Sequence, residues 1–254
     1  MLREQTLEKL RHMQLRGMAA ALAAQSQDPE AQTLSFEERL GLLVDEEWTQ
    51  RRNRALERLL REAKLRLAAC PEDLDYSPAR GLDRALMRSL ATCAFVRDHQ
   101  NLLVLGATGV GKTYVACALG NACCRMGLRT RYFRLQALLT ELTLAKGDGS
   151  YPAFMARLAK TELLILDDFG LTPLSVSEAR DLLEVIDERT LTRSTLVASQ
   201  LPLEMWHGAI ADPTLADAIL DRLIHNAHKI HLKGESMRKM KGPKGTSAVP
   251  TREV

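Results

Sequence analysis

Gly106-Ala107-Thr108-Gly109-Val110-Gly111-Lys112-Thr113 follows the apolar run Leu102-Leu103-Val104-Leu105 and opens into Tyr114-Val115-Ala116-Cys117-Ala118-Leu119. The spacing G-x-x-x-x-G-K-[ST] between a strand and a helix is that of a phosphate-binding loop. Its glycines let the backbone curl until successive N–H groups line an anion cradle. The N-terminus of the following helix adds partial positive charge to that cradle. Lys112 is placed to reach the β- and γ-phosphates of a nucleotide, and the Thr113 hydroxyl to ligate the Mg²⁺ that bridges them. Every residue of the loop, Gly106, Ala107, Thr108, Gly109, Val110, Gly111, Lys112 and Thr113, is therefore a candidate nucleotide contact.

Downstream of the loop, strand and helix patterns alternate. After the loop strand Asn101–Leu105, strands are predicted at 130–133, 163–167, 195–198 and 229–232, and helices at 112–126, 136–145, 154–160, 175–190 and 214–227. Such alternation implies an α/β fold, a five-stranded parallel sheet covered by helices on both faces. Upstream, 82–97 reads as one more helix, and Pro71, Pro78 and Gly81 mark a linker or domain entrance.

The N-terminal part is helical by pattern. Leu7, Leu10, Leu15, Met18 and Leu22 give 1–25 a helical period, and Ser26-Gln27-Asp28-Pro29 breaks it. A second helix is predicted from Ser35, capped by Glu38, running to about residue 67. Between Arg51 and Arg66 this helix carries seven bases against Glu57 and Glu62, a local net of +5. A solvated helix face and a lining for a phosphate backbone account for that charge equally well. No aromatic is interleaved there for base stacking. The expected organisation is a small all-α N-terminal partner- or DNA-binding domain over 1–69, a nucleotide-binding domain over 70–240, and a flexible basic tail over 241–254.

The chain has 254 residues, 46% of them hydrophobic and 4% aromatic, with a formal charge of +3. That composition supports a packed core built on aliphatic residues and excludes a disordered chain. The net charge is too mild to diagnose nucleic-acid binding. Five cysteines, an odd number without C-x-x-C spacing, favour neither a disulfide framework nor a zinc site. The six histidines form no metal constellation. No signal core and no membrane-length apolar run occur, so a cytoplasmic protein with no membrane partner is expected.

Leu163-Leu164-Ile165-Leu166-Asp167-Asp168 is an apolar strand ending in two acids. Beside a phosphate loop, an acid at this strand end helps hold Mg²⁺. Adjacent strand residues face opposite ways, so Asp167 is assigned to the metal and Asp168 to the attacking water as general base. At the end of the fourth strand, Gln200, with Ser199 next, is the candidate for contacting the γ-phosphate; a simple polar turn before Pro202 is the other reading.

These motifs, with Ala-Ser-Gln-Leu-Pro (198–202), Ala-Asp-Ala-Ile-Leu-Asp-Arg-Leu (216–223) and Lys-Gly-Glu-Ser-Met-Arg (233–238), resemble the IstB family over nearly the whole chain. Members are AAA+ ATPases that assist insertion-sequence transposases and are relatives of DnaC-type helicase loaders. The resemblance implies ATP and Mg²⁺ as cofactors, hydrolysis of ATP to ADP and phosphate, and a homo-oligomer formed with ATP. It further implies double-stranded DNA and a cognate transposase as partners. Arg222 matches an arginine finger serving the neighbouring subunit's ATP site, and Arg238 a nucleotide-contacting sensor arginine. The adenine pocket is expected near 76–82. Gln200 stands where many AAA+ proteins carry Asn. The alternatives are a helicase loader and a small-molecule kinase; the latter would need an acceptor pocket and an Arg-rich lid, and no such insertion interrupts the core.

Overall fold

The structure, a computed structural model, describes residues 2–237; Arg238 and the 241–254 tail lie outside the described residues. The chain divides into two compact units, one ending at Leu59 and the other beginning at Leu60.

In the first unit, α1 (Leu2–His12) and α2 (Arg16–Gln25) replace the single helix predicted over 1–25. The chain turns at Gln14, whose φ is +62°, and Leu15 N–H donates back to Leu10 O at 2.8 Å. The break lets the start of α2 meet α3 (Phe36–Ala63). Gly17 and Met18 N–H donate to Glu47 at 2.7 and 3.2 Å, and a Cβ on Gly17 would come 2.7 Å from the Glu47 Cα. The buried carboxylate thus caps orphan donors at a helix N-terminus. Arg51, bonded to it at 2.7 Å, and those amides hold the Glu47 pKa below the usual range. Helix α3 opens on the expected capping box, with Ser35 and Glu38 bonded reciprocally at 2.8 and 3.3 Å. It ends at Ala63, four residues before the predicted end, because Lys64 takes a left-handed φ of +49°.

The second unit is built on the sheet, whose strands are β1 (Asn101–Leu105), β2 (Thr130–Arg134), β3 (Leu163–Phe169), β4 (Ser194–Ser199) and β5 (Ala227–His231). All are parallel, in the order β2-β3-β4-β1-β5. The loop strand β1 lies between β4 and β5, so the switch in strand order opens a crevice at its C-terminal end. Alternation along the strands separates two cores. Leu102, Val104, Leu163 and Ile165 face the cluster formed with α4 (Arg84–Ala91), α5 (Ala94–Arg97) and α6 (Lys112–Arg125). Leu103, Leu105, Leu164 and Leu166 face α7 (Leu135–Asp148), α8 (Tyr151–Ala159), α9 (Val176–Arg189) and α10 (Pro213–Ile224). Each of these fully buried leucines contributes about 1.5–3 kcal/mol of transfer free energy, so the sheet that carries the loop is rigid.

Several boundaries moved. The helix predicted over 82–97 is broken at Cys93, whose φ of +59° turns its thiol to 3.3 Å from the Cys123 thiol on α6. Helix α7 passes through Gly147 and stops only at Gly149, which caps it with a φ of +77°. Strand β5 begins two residues earlier than predicted, and α10 ends at Ile224. Among the described residues no helix is long and apolar enough to cross a membrane.

Candidate nucleotide-binding site

The loop 106–111 joins the buried end of β1 to the first turn of α6. Gly106 has a φ of +150°, and a Cβ there would fall 2.4 Å from Leu232 O, so only glycine admits the close passage of the two chains. Inside the loop the Lys112 ammonium donates to Ala107 O at 2.9 Å. The N–H groups at the start of α6 have no intrahelical acceptor and provide the cradle's donors.

Helix α6 places Thr113 against the end of β3, where its hydroxyl donates to Asp167 at 2.7 Å. Asp167 is 1% exposed and accepts two further bonds, from the Tyr132 hydroxyl at 2.7 Å and from Asp168 N–H at 3.0 Å. Burial, and then the bond to Asp167, push the Tyr132 phenol up, so it remains a donor at neutral pH. Three donors therefore fix this carboxylate beside the Thr113 hydroxyl. Hard oxygen atoms so placed next to a phosphate cradle fit Mg²⁺, which takes one or two protein ligands and completes its shell with water and phosphate. Among the described residues no cluster of three or more acidic, His or Cys side chains forms an all-protein metal site.

Asp168 diverges from its neighbour. The β3–β4 register shifts between Leu166 and Phe169, and Asp168 has a φ of +61°. Its half-exposed carboxylate lies 3.7 Å from Arg134 and 3.9 Å from Arg66, and it lines the same cleft as Lys112 and Thr113. Across the loop, Gln200 accepts from the Thr108 hydroxyl at 2.5 Å. Ser199 is buried and spends its hydroxyl on Phe169 O at 2.7 Å and Leu201 N–H at 3.1 Å, so Gln200 is the polar group presented to the cleft.

The cleft has a volume of about 820 Å³, within the range of small-molecule sites. The segment before β1 and the first turn of α6 also line it, through Leu74, Asp75, Arg80 and Tyr114. Tyr76, in the segment where an adenine pocket was expected, is half-buried and stacks on Arg84 at 5.3 Å. Sequence reasoning missed Tyr132, Arg66 and Arg134. Tyr132 alone left a signal, a hydroxyl in a buried strand that needs a partner.

Arg222 is not brought to this cleft. It stands in the last turn of α10, donating to Asp187 at 2.7 Å and to Ala218 O at 2.9 Å. Asn101, the first residue of β1, donates to Arg222 O at 2.9 Å, whereas the loop leaves the other end of that strand. The length of β1, about 13 Å at 3.3 Å per residue, separates them.

Residues 8–244 match the family described as IstB-like ATP binding protein. A putative insertion sequence ATP-binding protein of Sinorhizobium fredii is 48% identical over 239 residues, spanning 94% of this chain and 98% of that protein. The putative ATP-binding protein of insertion sequence IS21 from Pseudomonas aeruginosa is 34% identical, spanning 81% of this chain and 77% of its own length. Among solved structures, the DnaC helicase loader aligns with a TM-score of 0.54 at 19% identity, covering 67% of this chain and all of that one. DnaI aligns with a TM-score of 0.56 at 19% identity, over 70% and 94% of the two chains. These likenesses show a fold shared with DnaC and DnaI.

Proposed function

The chain belongs to the IstB-like ATP binding protein family, and from that membership we propose an ATPase that assembles with ATP on double-stranded DNA and hands that DNA to a transposase. The observation that carries hydrolysis, beyond binding, is the pair of acids at the end of β3. Asp167 is locked to Thr113, while Asp168 is turned outward into the cleft.

The residues divide the work as follows. Loop N–H groups and the α6 terminus bind the phosphates, and Lys112 exchanges Ala107 O for the β- and γ-phosphate oxygens. Thr113 and Asp167 would hold Mg²⁺, which when bound offsets charge on those oxygens. Asp168 orients a water in line with the γ-phosphorus and accepts its proton as the new P–O bond forms and the β–γ bridge breaks. Gln200, opposite, touches the γ-phosphate. Arg222 of one subunit reaches the site of the next and neutralises charge on the transferred group. ATP then joins neighbours and hydrolysis releases them.

The exposed bases Arg52, Arg54 and Arg58 of α3 supply candidate phosphate contacts. The names of the relatives, all tied to insertion sequences, favour a transposase over a replicative helicase as partner. The fold shared with DnaC supports helicase loading as the second reading. Purified protein with ATP and duplex DNA should form large assemblies by light scattering and release phosphate faster than without DNA. Absence of DNA-stimulated, ATP-dependent assembly would overturn the first reading, and selective capture of a replicative helicase would favour the second.

A further inference from the structure

Arg80 lies in the short turn Pro78–Arg80, closed by Gly81 in the left-handed region at a φ of +62°. Its backbone is pinned on both sides, its N–H to Ser77 O at 2.9 Å and its carbonyl to Lys233 N–H at 2.9 Å. The side chain is only 7% exposed and runs to the phosphate-binding loop, where Nη2 donates to Val110 O at 2.6 Å. It packs so closely on Gly111 that a Cβ there would come within 2.9 Å of Nη2. Yet, among the described residues, Nε and Nη1 are buried with no hydrogen-bond partner, and the side chain lines the nucleotide cleft.

A structural role does not account for those two nitrogens. Arg189 shows how this fold satisfies a buried arginine that only holds elements together. At 1% exposure, its Nε reaches Thr195, its Nη1 reaches Leu158 O and Thr161 O, and its Nη2 reaches Ser194 O. Arg80 has one acceptor where Arg189 has four. A permanent cation with buried, unmet donors is costly unless an acceptor-bearing ligand completes it.

The position indicates which acceptors. Lys112, Thr113, Asp168 and Gln200 surround the place of the terminal phosphates. Arg80 touches the loop at Val110 and Gly111 and reaches the cleft from the segment before β1 that also supplies Leu74 and Asp75, whereas Asp168 and Gln200 come from the ends of β3 and β4. We infer that Arg80 is a nucleotide-binding residue that uses Nε and Nη1 on the nucleoside side of the ligand, through acceptors of the α-phosphate and ribose that ATP and ADP share. This rests on the ATP-binding reading above and adds to it a contact that does not distinguish the two nucleotides.

The test is calorimetric titration of ADP and of a non-hydrolysable ATP analogue into wild type, Arg80→Met and Arg80→Lys, with melting temperatures taken without nucleotide. Arg80→Met should weaken both ligands by a similar factor, on the order of tenfold or more, while the melting temperature without nucleotide is held or raised. Arg80→Lys can still donate to Val110 O but cannot supply Nε and Nη1, so it should also bind both more weakly. Unchanged affinities in Arg80→Met, full affinity in Arg80→Lys, or a loss confined to the ATP analogue would each overturn the inference. Wild type that binds neither nucleotide would instead overturn the ATP reading on which it rests.

Discussion

Two carboxylates leave β3 on consecutive residues into different surroundings. Asp167 accepts from Thr113, Tyr132 and its neighbour's amide, while Asp168, half-exposed, has two arginines at 3.7 and 3.9 Å. A left-handed backbone is tolerated by Asn nearly as well as by Asp, so Asp168→Asn removes the base with little strain at φ +61°. The expected outcome is unchanged ATP affinity and melting temperature with turnover lowered by about 10²–10⁴-fold, the usual share of a general base. Single-turnover phosphate release beside calorimetry would check it, and near-normal turnover would remove Asp168 from the chemistry. Asp167→Asn should behave differently: Thr113 and Tyr132 both donate to Oδ2 and Asp168 N–H donates to Oδ1, so an amide turns an NH2 group on one of these donors and removes the charge beside Thr113, and Mg²⁺-dependent affinity itself should fall. The two acids and the loop were legible because fixed spacing marks them. Arg80 falls inside the 76–82 segment where an adenine pocket was expected, without a role of its own, and Arg66 and Arg134 left no sign, because nothing in an isolated arginine says which carbonyl or carboxylate the fold will bring to it.

At the scale of elements, residue pattern located the five strands and the Ser35–Glu38 capping box but not the breaks inside helices. The turn at Gln14 depends on Gly17 meeting Glu47, and the turn at Cys93 on a thiol facing Cys123; both are contacts between distant positions. The last residue of α9 shows the same dependence. Arg189 ties the end of α8, the start of β3 and the start of β4 through four acceptors, three of them backbone carbonyls. Burial, and then nearby Arg193, push its pKa down to about 9, which still leaves it charged at neutral pH. Replacing it with Leu would remove a donor from Leu158 O, Thr161 O and Ser194 O, of which Leu158 O keeps the Thr161 N–H at 3.0 Å, at a cost of about 3 kcal/mol. Urea denaturation should register that loss, while the nucleotide affinity of the protein that remains folded should be unchanged, because Arg189 lies at the end of the sheet away from the loop. A loss below about 0.5 kcal/mol would mean the strand ends do not depend on this residue.

For the molecule as a whole, the separation of Arg222 from the loop is the feature that bears on assembly. Both positions are fixed to opposite ends of β1, an interior strand paired with β4 on one side and β5 on the other, so no side-chain rotation brings them together within one chain. The Arg222–Asp187 pair is partly exposed and worth at most about 1 kcal/mol, so releasing it to a neighbour costs little against contact with a transferred phosphate. If Arg222 acts between subunits, Arg222→Ala should bind ATP normally yet hydrolyse it on the order of 10³-fold more slowly. That loss alone would not separate a shared site from an indirect effect, but mixing variants does. Asp168→Asn keeps its arginine and lacks its base; Arg222→Ala keeps its base and lacks its arginine. In a head-to-tail assembly of equal parts, about a quarter of the interfaces would pair an intact base with an intact arginine. Two preparations that are each nearly inactive should therefore regain about a quarter of wild-type turnover when mixed with ATP and duplex DNA. Activity no greater than the average of the two variants would show that each site is complete within its own subunit, and the role of ATP as a link between neighbours would fall with it.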